Sequence, residues 1–277
     1  MMIELNNLTY SYYRGFIAID NASAVVSPGI HLLLGENGAG KTTLLRLMSG
    51  LLLPQKGTCM IDGDNVAHRL PSTLRRVFML PDTLELPMRT INSFAKVHSR
   101  FYPNFSPDIL AENLSEFGFT GNEEFSKLSL GMRHKAIVAY AISLRPDVLL
   151  LDEPANGLDI TSKKALRSML ARCSSDDQIV IVSTHTVSDL KELYDGVIVL
   201  SKGKILVCRP TWEISERIAF IDTQIPPVEP LFMEQSLGMF HSLIPNDEGL
   251  TTDINYHLFY SALMSPARDR ILEIINS

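Results

Sequence analysis

Long apolar runs are missing from this sequence. Stretches such as Ala136 to Leu144 and Val148 to Leu151 fall well short of the roughly 20 residues that a helix needs to span a bilayer, so the chain is not expected to cross a membrane by itself. A basic region followed by an apolar core is also missing from Met1-Met2-Ile3-Glu4-Leu5-Asn6-Asn7, so nothing reads as a secretory signal and a cytoplasmic location is expected. Cysteine is scarce. Cys59, Cys173 and Cys208 are scattered and far from any His or Cys at metal-ligand spacing, which fits reduced structural thiols and excludes a disulfide framework. Basic excess is absent as well: 25 Lys and Arg stand against 31 Asp and Glu, for a net charge of −6. No overall field draws the chain onto nucleic acid, and no nucleic-acid partner is expected.

What is present describes an ordinary globular protein. Apolar residues make up 45% and charged residues 20% of 277 positions, enough for one large domain with a small appendage. Short apolar runs bounded by polar or Gly-rich turns occur at Ile30 to Leu34, Val148 to Leu151, Ile179 to Val182 and Val197 to Leu200. Strands buried on both faces read this way, which predicts a central, mostly parallel sheet. Segments with helical spacing lie between them: Lys41 to Leu51, Leu130 to Leu144, Lys163 to Ala171 and Val187 to Leu193. The alternation predicts an α/β fold.

Two regions break the rhythm. From residue 83 to 127 the pattern is helical (Thr90 to Arg100, Ser106 to Phe117) around Tyr102-Pro103-Asn104-Phe105, with no clear buried strand; an inserted helical subdomain is expected. After Val207, Arg209-Pro210 and Pro226-Pro227-Val228-Glu229-Pro230 punctuate a weaker pattern. Short strands at Ile218 to Ile221 and Met239 to Ile244, with helices at Asp253 to Leu263 and Arg268 to Ile275, predict a small α+β appendage over 209–277.

The strongest motif is Gly35-Glu36-Asn37-Gly38-Ala39-Gly40-Lys41-Thr42, a phosphate-binding loop pattern between a buried strand and a helix. Glycines let backbone N–H groups turn inward, and the helix beginning near Lys41 aims its positive end at the same point. A polyphosphate is the natural occupant, cradled by Asn37, Gly38, Ala39 and Gly40 and by Thr43 just beyond. Lys41 is expected on the β- and γ-phosphates and the Thr42 hydroxyl on Mg²⁺. A second element, Val148-Leu149-Leu150-Leu151-Asp152-Glu153-Pro154, puts two acids at the carboxyl end of a buried strand, where ligands bind in open α/β sheets. Asp152 is expected to hold Mg²⁺, and Glu153 to accept a proton from an attacking water.

Between these motifs, Leu128-Ser129-Leu130-Gly131-Met132 resembles the Leu-Ser-Gly-Gly-Gln signature of the ATPase cassettes of ABC transporters, with Ser129 also a good N-cap for the helix that follows. Gly157-Leu158-Asp159 resembles the family's D-loop, and His185 stands where the family keeps its switch histidine. Leu8-Thr9-Tyr10-Ser11-Tyr12-Tyr13 resembles the strand whose terminal aromatic stacks on adenine, with Tyr12 favoured and Tyr13 close behind. One departure stands out: in Val77-Phe78-Met79-Leu80-Pro81-Asp82 an Asp occupies the place of the family's Gln. Asp82 can still accept from a water or approach Mg²⁺, but it lacks an amide donor and is one methylene shorter.

The resemblance covers about residues 2 to 208 and implies a P-loop NTPase core over 1–208, with ATP and Mg²⁺ as cofactors. It implies catalytic roles for Lys41, Glu153 and His185. Nucleotide contacts are implied for Tyr12, the phosphate loop, Asp82, Ser129, Gly131 and Asp159, and metal contacts for Thr42, Asp152 and Asp82. One phosphate loop and one signature in a chain cannot serve the same nucleotide if the signature closes over it from the opposite face. A second cassette, a copy or a related chain, is therefore expected head to tail. The implied partner is a transmembrane permease subunit that holds the chain on the inner face of the cell membrane, in an efflux-type system. Its contact is expected on the helical insertion, with Met88, Phe101, Tyr102 and Phe105 as candidates. A soluble member of the same ATPase family is the alternative. Cassettes of that kind usually come as two copies in a chain or carry long coiled-coil insertions, and neither feature occurs here. A purely regulatory module would be expected to lose the base, whereas Glu153 is present.

Overall fold

A computed structural model describes residues 1–13, 15–83, 89–184 and 193–277. The chain opens with an antiparallel pair, β1 (Ile3–Tyr13) and β2 (Phe16–Val26), running from Ile3 opposite Val26 to Tyr13 opposite Phe16. Then come β3 (Gly29–Leu34), α1 (Lys41–Met48), β4 (Lys56–Ile61) and the short β5 (Asp64–Asn65). β4 returns beside β1, giving an antiparallel sheet in the order β2-β1-β4-β5. A single helical turn, α2 (Pro71–Leu74), leads to β6 (Val77–Leu80). Three helices follow: α3 (Ile91–His98), α4 (Pro107–Glu116) and α5 (Leu130–Ser143). Thr90, Ser106 and Ser129 cap them, each side-chain oxygen accepting from the backbone N–H three residues on.

The chain then alternates through β7 (Val148–Asp152), α6 (Ile160–Cys173), β8 (Ile179–Ser183), β9 (Gly196–Ser201) and β10 (Lys204–Pro210). These strands form the sheet β10-β9-β3-β8-β7-β6, parallel from β9 to β6 with β10 antiparallel at one edge. Side chains on a strand alternate between faces, so two cores form. Leu33, Leu150, Ile181 and Ile198 pack with α1 and the antiparallel sheet. Leu32, Leu34, Leu149, Leu151, Val180 and Val197 pack with α3 to α6 on the other side. Burial on both faces explains why these strands read as continuous apolar runs.

The second core continues into the C-terminal elements α7 (Thr211–Arg217), β11 (Ile218–Thr223), β12 (Phe232–Ser236), β13 (Met239–Pro245), α8 (Tyr256–Leu263) and α9 (Arg268–Asn276). Their strands pair antiparallel in the order β11-β13-β12. β10 carries the large sheet through Pro210, past the boundary expected at 208, because Arg209 and Pro210 still pair with Val197 and Gly196. The antiparallel sheet of β1, β2, β4 and β5 was legible only as the stretch Leu8 to Tyr13. Its strands are half-exposed and shift register repeatedly, which erases a clean period of two. The helix expected at Val187 to Leu193 falls mainly outside the described residues.

The helices between residues 89 and 143 close over an aromatic cluster. Tyr140 is fully buried, and its hydroxyl meets His98 Nδ1 at 2.8 Å. Phe94 stacks on the His98 ring with centroids 5.3 Å apart, and Phe78 meets Tyr102 edge-on. Burial pushes the His98 imidazole below its ordinary value, so this cluster favours the neutral ring. As pH falls through about 6.5 the unfolded chain takes up a proton that the folded chain does not, and stability contributed at higher pH is lost. We therefore expect the melting temperature to fall between pH 7.5 and 5.5, with a shallower fall in His98→Asn, whose amide stands near the Nδ1 position. Equal slopes in the two proteins would contradict the assignment.

Candidate functional site

The site is built at the carboxyl ends of three adjacent parallel strands. Leu33 of β3 pairs with Ser183 of β8, and Ser183 pairs with Asp152 of β7. The Gly35–Thr42 loop, Ser183 and the Asp152-Glu153 pair therefore emerge side by side. Gly40 begins α1 in a left-handed conformation with φ 107°, and a Cβ there would lie 2.5 Å from the Ala18 carbonyl oxygen. Only glycine fits both demands. Gly38 also has positive φ, and its side of the loop faces open space.

Lys41 is buried beneath this loop. Its Nζ donates to the Gly35 carbonyl at 2.7 Å, reaches the Glu36 carbonyl at 3.5 Å and lies 3.9 Å from Glu153 Oε1. Burial lowers the Lys41 pKa from its ordinary value, while the Glu153 and Asp152 carboxylates pull it back up. Thr42 donates its hydroxyl proton to Asp152 Oδ2 at 2.7 Å, and Ser183 donates to Asp152 Oδ1 at 2.6 Å. Asp152 is 2% exposed, so both carboxylate oxygens are satisfied by hydroxyls in place of water. A hydroxyl and a carboxylate meeting at the mouth of a phosphate loop form the hard-oxygen donor set that suits Mg²⁺, which completes its shell with waters and phosphate oxygens. No cluster of three or more His, Cys, Asp or Glu that could hold a metal exists among the described residues.

Glu153 has φ +51°, a left-handed conformation unusual for a residue other than glycine. Its N–H holds it there by donating to the Ser183 carbonyl at 3.1 Å, with the Ser183 hydroxyl at 3.2 Å. Such strain clusters at functional positions, and here it turns the Glu153 side chain toward Lys41. Ser183 was not singled out in the sequence. Its signal was a lone hydroxyl ending an apolar strand beside the acidic one.

Other expected residues take distinct places. Tyr12, exposed near the end of β1, joins its hydroxyl to Thr43 Oγ1 at 3.1 Å and meets Tyr10 edge-on at 5.1 Å. Tyr13 instead stacks on Phe16 at 5.5 Å. Asp82, exposed just past β6, accepts from Asn156 Nδ2 at 3.3 Å, so it sits against the segment that follows Glu153. Ser129 caps α5 through the Met132 N–H. Asp159 caps α6 and pairs with Lys135 of α5 at 2.8 Å, contacts that hold its carboxyl well below the usual carboxylate range. Gly131 lines one cavity with Asn156 and Gly157, and a Cβ added to it would stand 4.0 Å from the Gly157 carbonyl oxygen. The signature and the Gly157-Leu158-Asp159 loop thus meet each other, and among the described residues neither hydrogen-bonds the phosphate loop. His185 lies outside the described residues.

With this geometry in hand, comparisons with known proteins are specific. Residues 19–156 match the family model described as ABC transporter. ABC transporter ATP-binding protein NatA of Bacillus subtilis is 32% identical over 68% of this chain and 80% of its own. Nod factor export ATP-binding protein I of Cupriavidus metallidurans is 32% identical over 73% of this chain and 69% of its own. In fold, the chain superposes with TM-score 0.64 at 21% identity on a dimeric ATP-binding cassette in a post-hydrolysis state bound to ADP and Pi, covering 75% of this chain and 98% of that one. The P-loop NTPase core, the assembled phosphate site and these relatives agree: the chain belongs to the ABC transporter family as an ATP-binding, ATP-hydrolysing subunit.

Proposed function

We propose that this ATPase drives export through a separate membrane permease, working as one of two cassettes arranged head to tail on the inner face of the cell membrane. The observation that carries the arrangement is the split of the machinery within one chain. Lys41, Thr42, Asp152 and Glu153 converge on one loop, while Ser129 caps α5 and Gly131 lines a separate cavity with Gly157. Exposed apolar side chains surround that second surface: Leu130 is 84% exposed, Ile160 77% and Met132 42%. Apolar area of this kind beside a helix N-terminus fits a protein interface, and a second cassette presenting its phosphate loop is the occupant we assign. Similarity to a relative named for export supports the direction.

In this reading Lys41 would exchange the loop carbonyls for β- and γ-phosphate oxygens, and Thr42 and Asp152 would hold Mg²⁺, which when bound would supply neutralisation of charge on the phosphates. Glu153 orients a water and takes its proton as the water oxygen bonds to the γ-phosphorus. The bond to the bridging oxygen breaks, leaving ADP and phosphate. Asp82, held by Asn156, would accept from the attacking water, and the γ-phosphate role implied for His185 belongs to a residue outside the described ones. Tyr12, whose hydroxyl reaches Thr43 just past the phosphate loop, offers its ring to the base. Ser129, Gly131 and Asp159 complete the partner's site.

Two outcomes test this. Glu153→Gln removes the proton acceptor and keeps the side-chain shape, so it should retain ATP, lose hydrolysis by at least about a hundredfold and accumulate as a dimer. A monomer by light scattering at saturating Mg-ATP would contradict the homodimer and favour pairing with a related cassette. The permease contact we place on the groove of about 520 Å³ lined by Leu74, Arg75, Arg100, Phe101 and Tyr102. Phe101 is 69% exposed there, and Phe105 is half-buried beside Tyr140; Met88 lies outside the described residues. A cysteine at Phe101 should crosslink to a membrane-spanning chain in native membranes. Crosslinking only from positions after Val207 would overturn this placement.

A further inference from the structure

One contact of the phosphate loop is not required by the ATPase reading. The backbone N–H of Glu36 donates to the hydroxyl of Tyr260 at 3.0 Å, across 224 positions of sequence. Glu36 is the second residue of the Gly35–Thr42 loop. Its carbonyl and that of Gly35 are the two groups that receive Lys41 Nζ. The same short stretch of peptide is therefore gripped from beneath by the phosphate-binding lysine and from the side by a tyrosine of the C-terminal elements.

Tyr260 is held firmly enough to matter. α8 is capped by Asn255, whose side chain accepts from the Leu258 N–H, and it buries Tyr256, Leu258, Phe259, Ala262 and Leu263. Phe259 meets Phe220 of β11 edge-on at 6.1 Å, and Tyr256 meets Tyr194, just ahead of β9, at 5.8 Å. The helix is thus packed against the C-terminal sheet and the ATPase core at once. Burial pushes the Tyr260 hydroxyl above its ordinary value, so at neutral pH it stays protonated, accepting from Glu36 with a lone pair and keeping its proton for a second acceptor.

We propose that Tyr260 is a positioning residue of the nucleotide site: its hydroxyl fixes the Glu36 peptide at the entry of the phosphate loop, so that polyphosphate in the loop and the C-terminal elements 218–277 are energetically coupled. The proposal rests on the reading of the loop as the ATP site. Coupling of this kind is reciprocal. Nucleotide that moves Lys41 off the Gly35 and Glu36 carbonyls changes the peptide that Tyr260 engages, and a change at Tyr260 alters the loop that nucleotide meets.

The test uses the full chain. Tyr260→Phe deletes one oxygen and keeps the ring, and kcat/KM for Mg-ATP should fall about fivefold, the size of one neutral hydrogen bond. A merely structural role would not move a second signal: 3-fluorotyrosine placed at 260 should shift its fluorine resonance when a non-hydrolysable ATP analogue saturates the protein. The same label at Tyr256, buried on the same helix, should stay in place. A resonance at 260 that does not move at saturation overturns the proposal whatever the kinetics of Tyr260→Phe, while leaving the nucleotide site intact. If the analogue does not bind the wild-type chain at all, the reading of the loop fails and the proposal falls with it.

Discussion

Everything at the nucleotide end of this protein depends on three parallel strands stopping at one level. The register of Leu33 with Ser183 and of Ser183 with Asp152 brings a phosphate loop, a bridging hydroxyl and two carboxylates into one place, although Gly35 and Glu153 stand 118 positions apart in the sequence. A slip of one residue in any pair would turn each of these side chains to the opposite face. The register is pinned by burial, since β3, β7 and β8 place apolar side chains into a core on each face. Packing remote from the chemistry thereby sets the geometry of the chemistry.

Charge is concentrated on this scaffold. Lys41, Asp152 and Glu153 are all largely buried, and burial of charge is costly unless partners compensate. Here the compensation comes from the Gly35 carbonyl, from Thr42 and Ser183, and from the ion pair itself. Of these groups a Mg-nucleotide would engage Lys41, Thr42 and Asp152, taking the place of the Gly35 carbonyl on Lys41. The site is preorganised in this sense: nucleotide substitutes for contacts that already exist and does not have to assemble them. The left-handed backbone of Glu153, costing on the order of 1 to 3 kcal/mol, is sustained by the N–H bonds to Ser183 and so by the same register.

Much of this was legible in the sequence, for a physical reason. A polyphosphate loop needs glycines at fixed spacing and a metal needs an acid at a strand end, so Gly35 to Thr42 and Asp152-Glu153 carry their chemistry locally. The buried strands were legible because burial on both faces leaves continuous apolar runs. What stayed hidden depends on contacts between distant segments. Ser183 gains its role only from the strand beside it, and Tyr260 meets Glu36 through a fold that no local pattern announces. The antiparallel sheet hides because its half-exposed strands carry no regular alternation. Asp82 illustrates an intermediate case, visible as a departure from the family pattern but given meaning only by its contact with Asn156.

The central claim is that Thr42 and Asp152 form one metal site with the phosphates of bound ATP. Electron paramagnetic resonance of Mn²⁺, substituting for Mg²⁺ on the Glu153→Gln protein with ATP, reads that site directly through the coupling of the metal to phosphorus. The account predicts a protein-bound Mn²⁺ signal with phosphorus coupling that is lost in the added Asp152→Asn and weakened in the added Thr42→Val. A signal unchanged in both variants would place the metal elsewhere and contradict it.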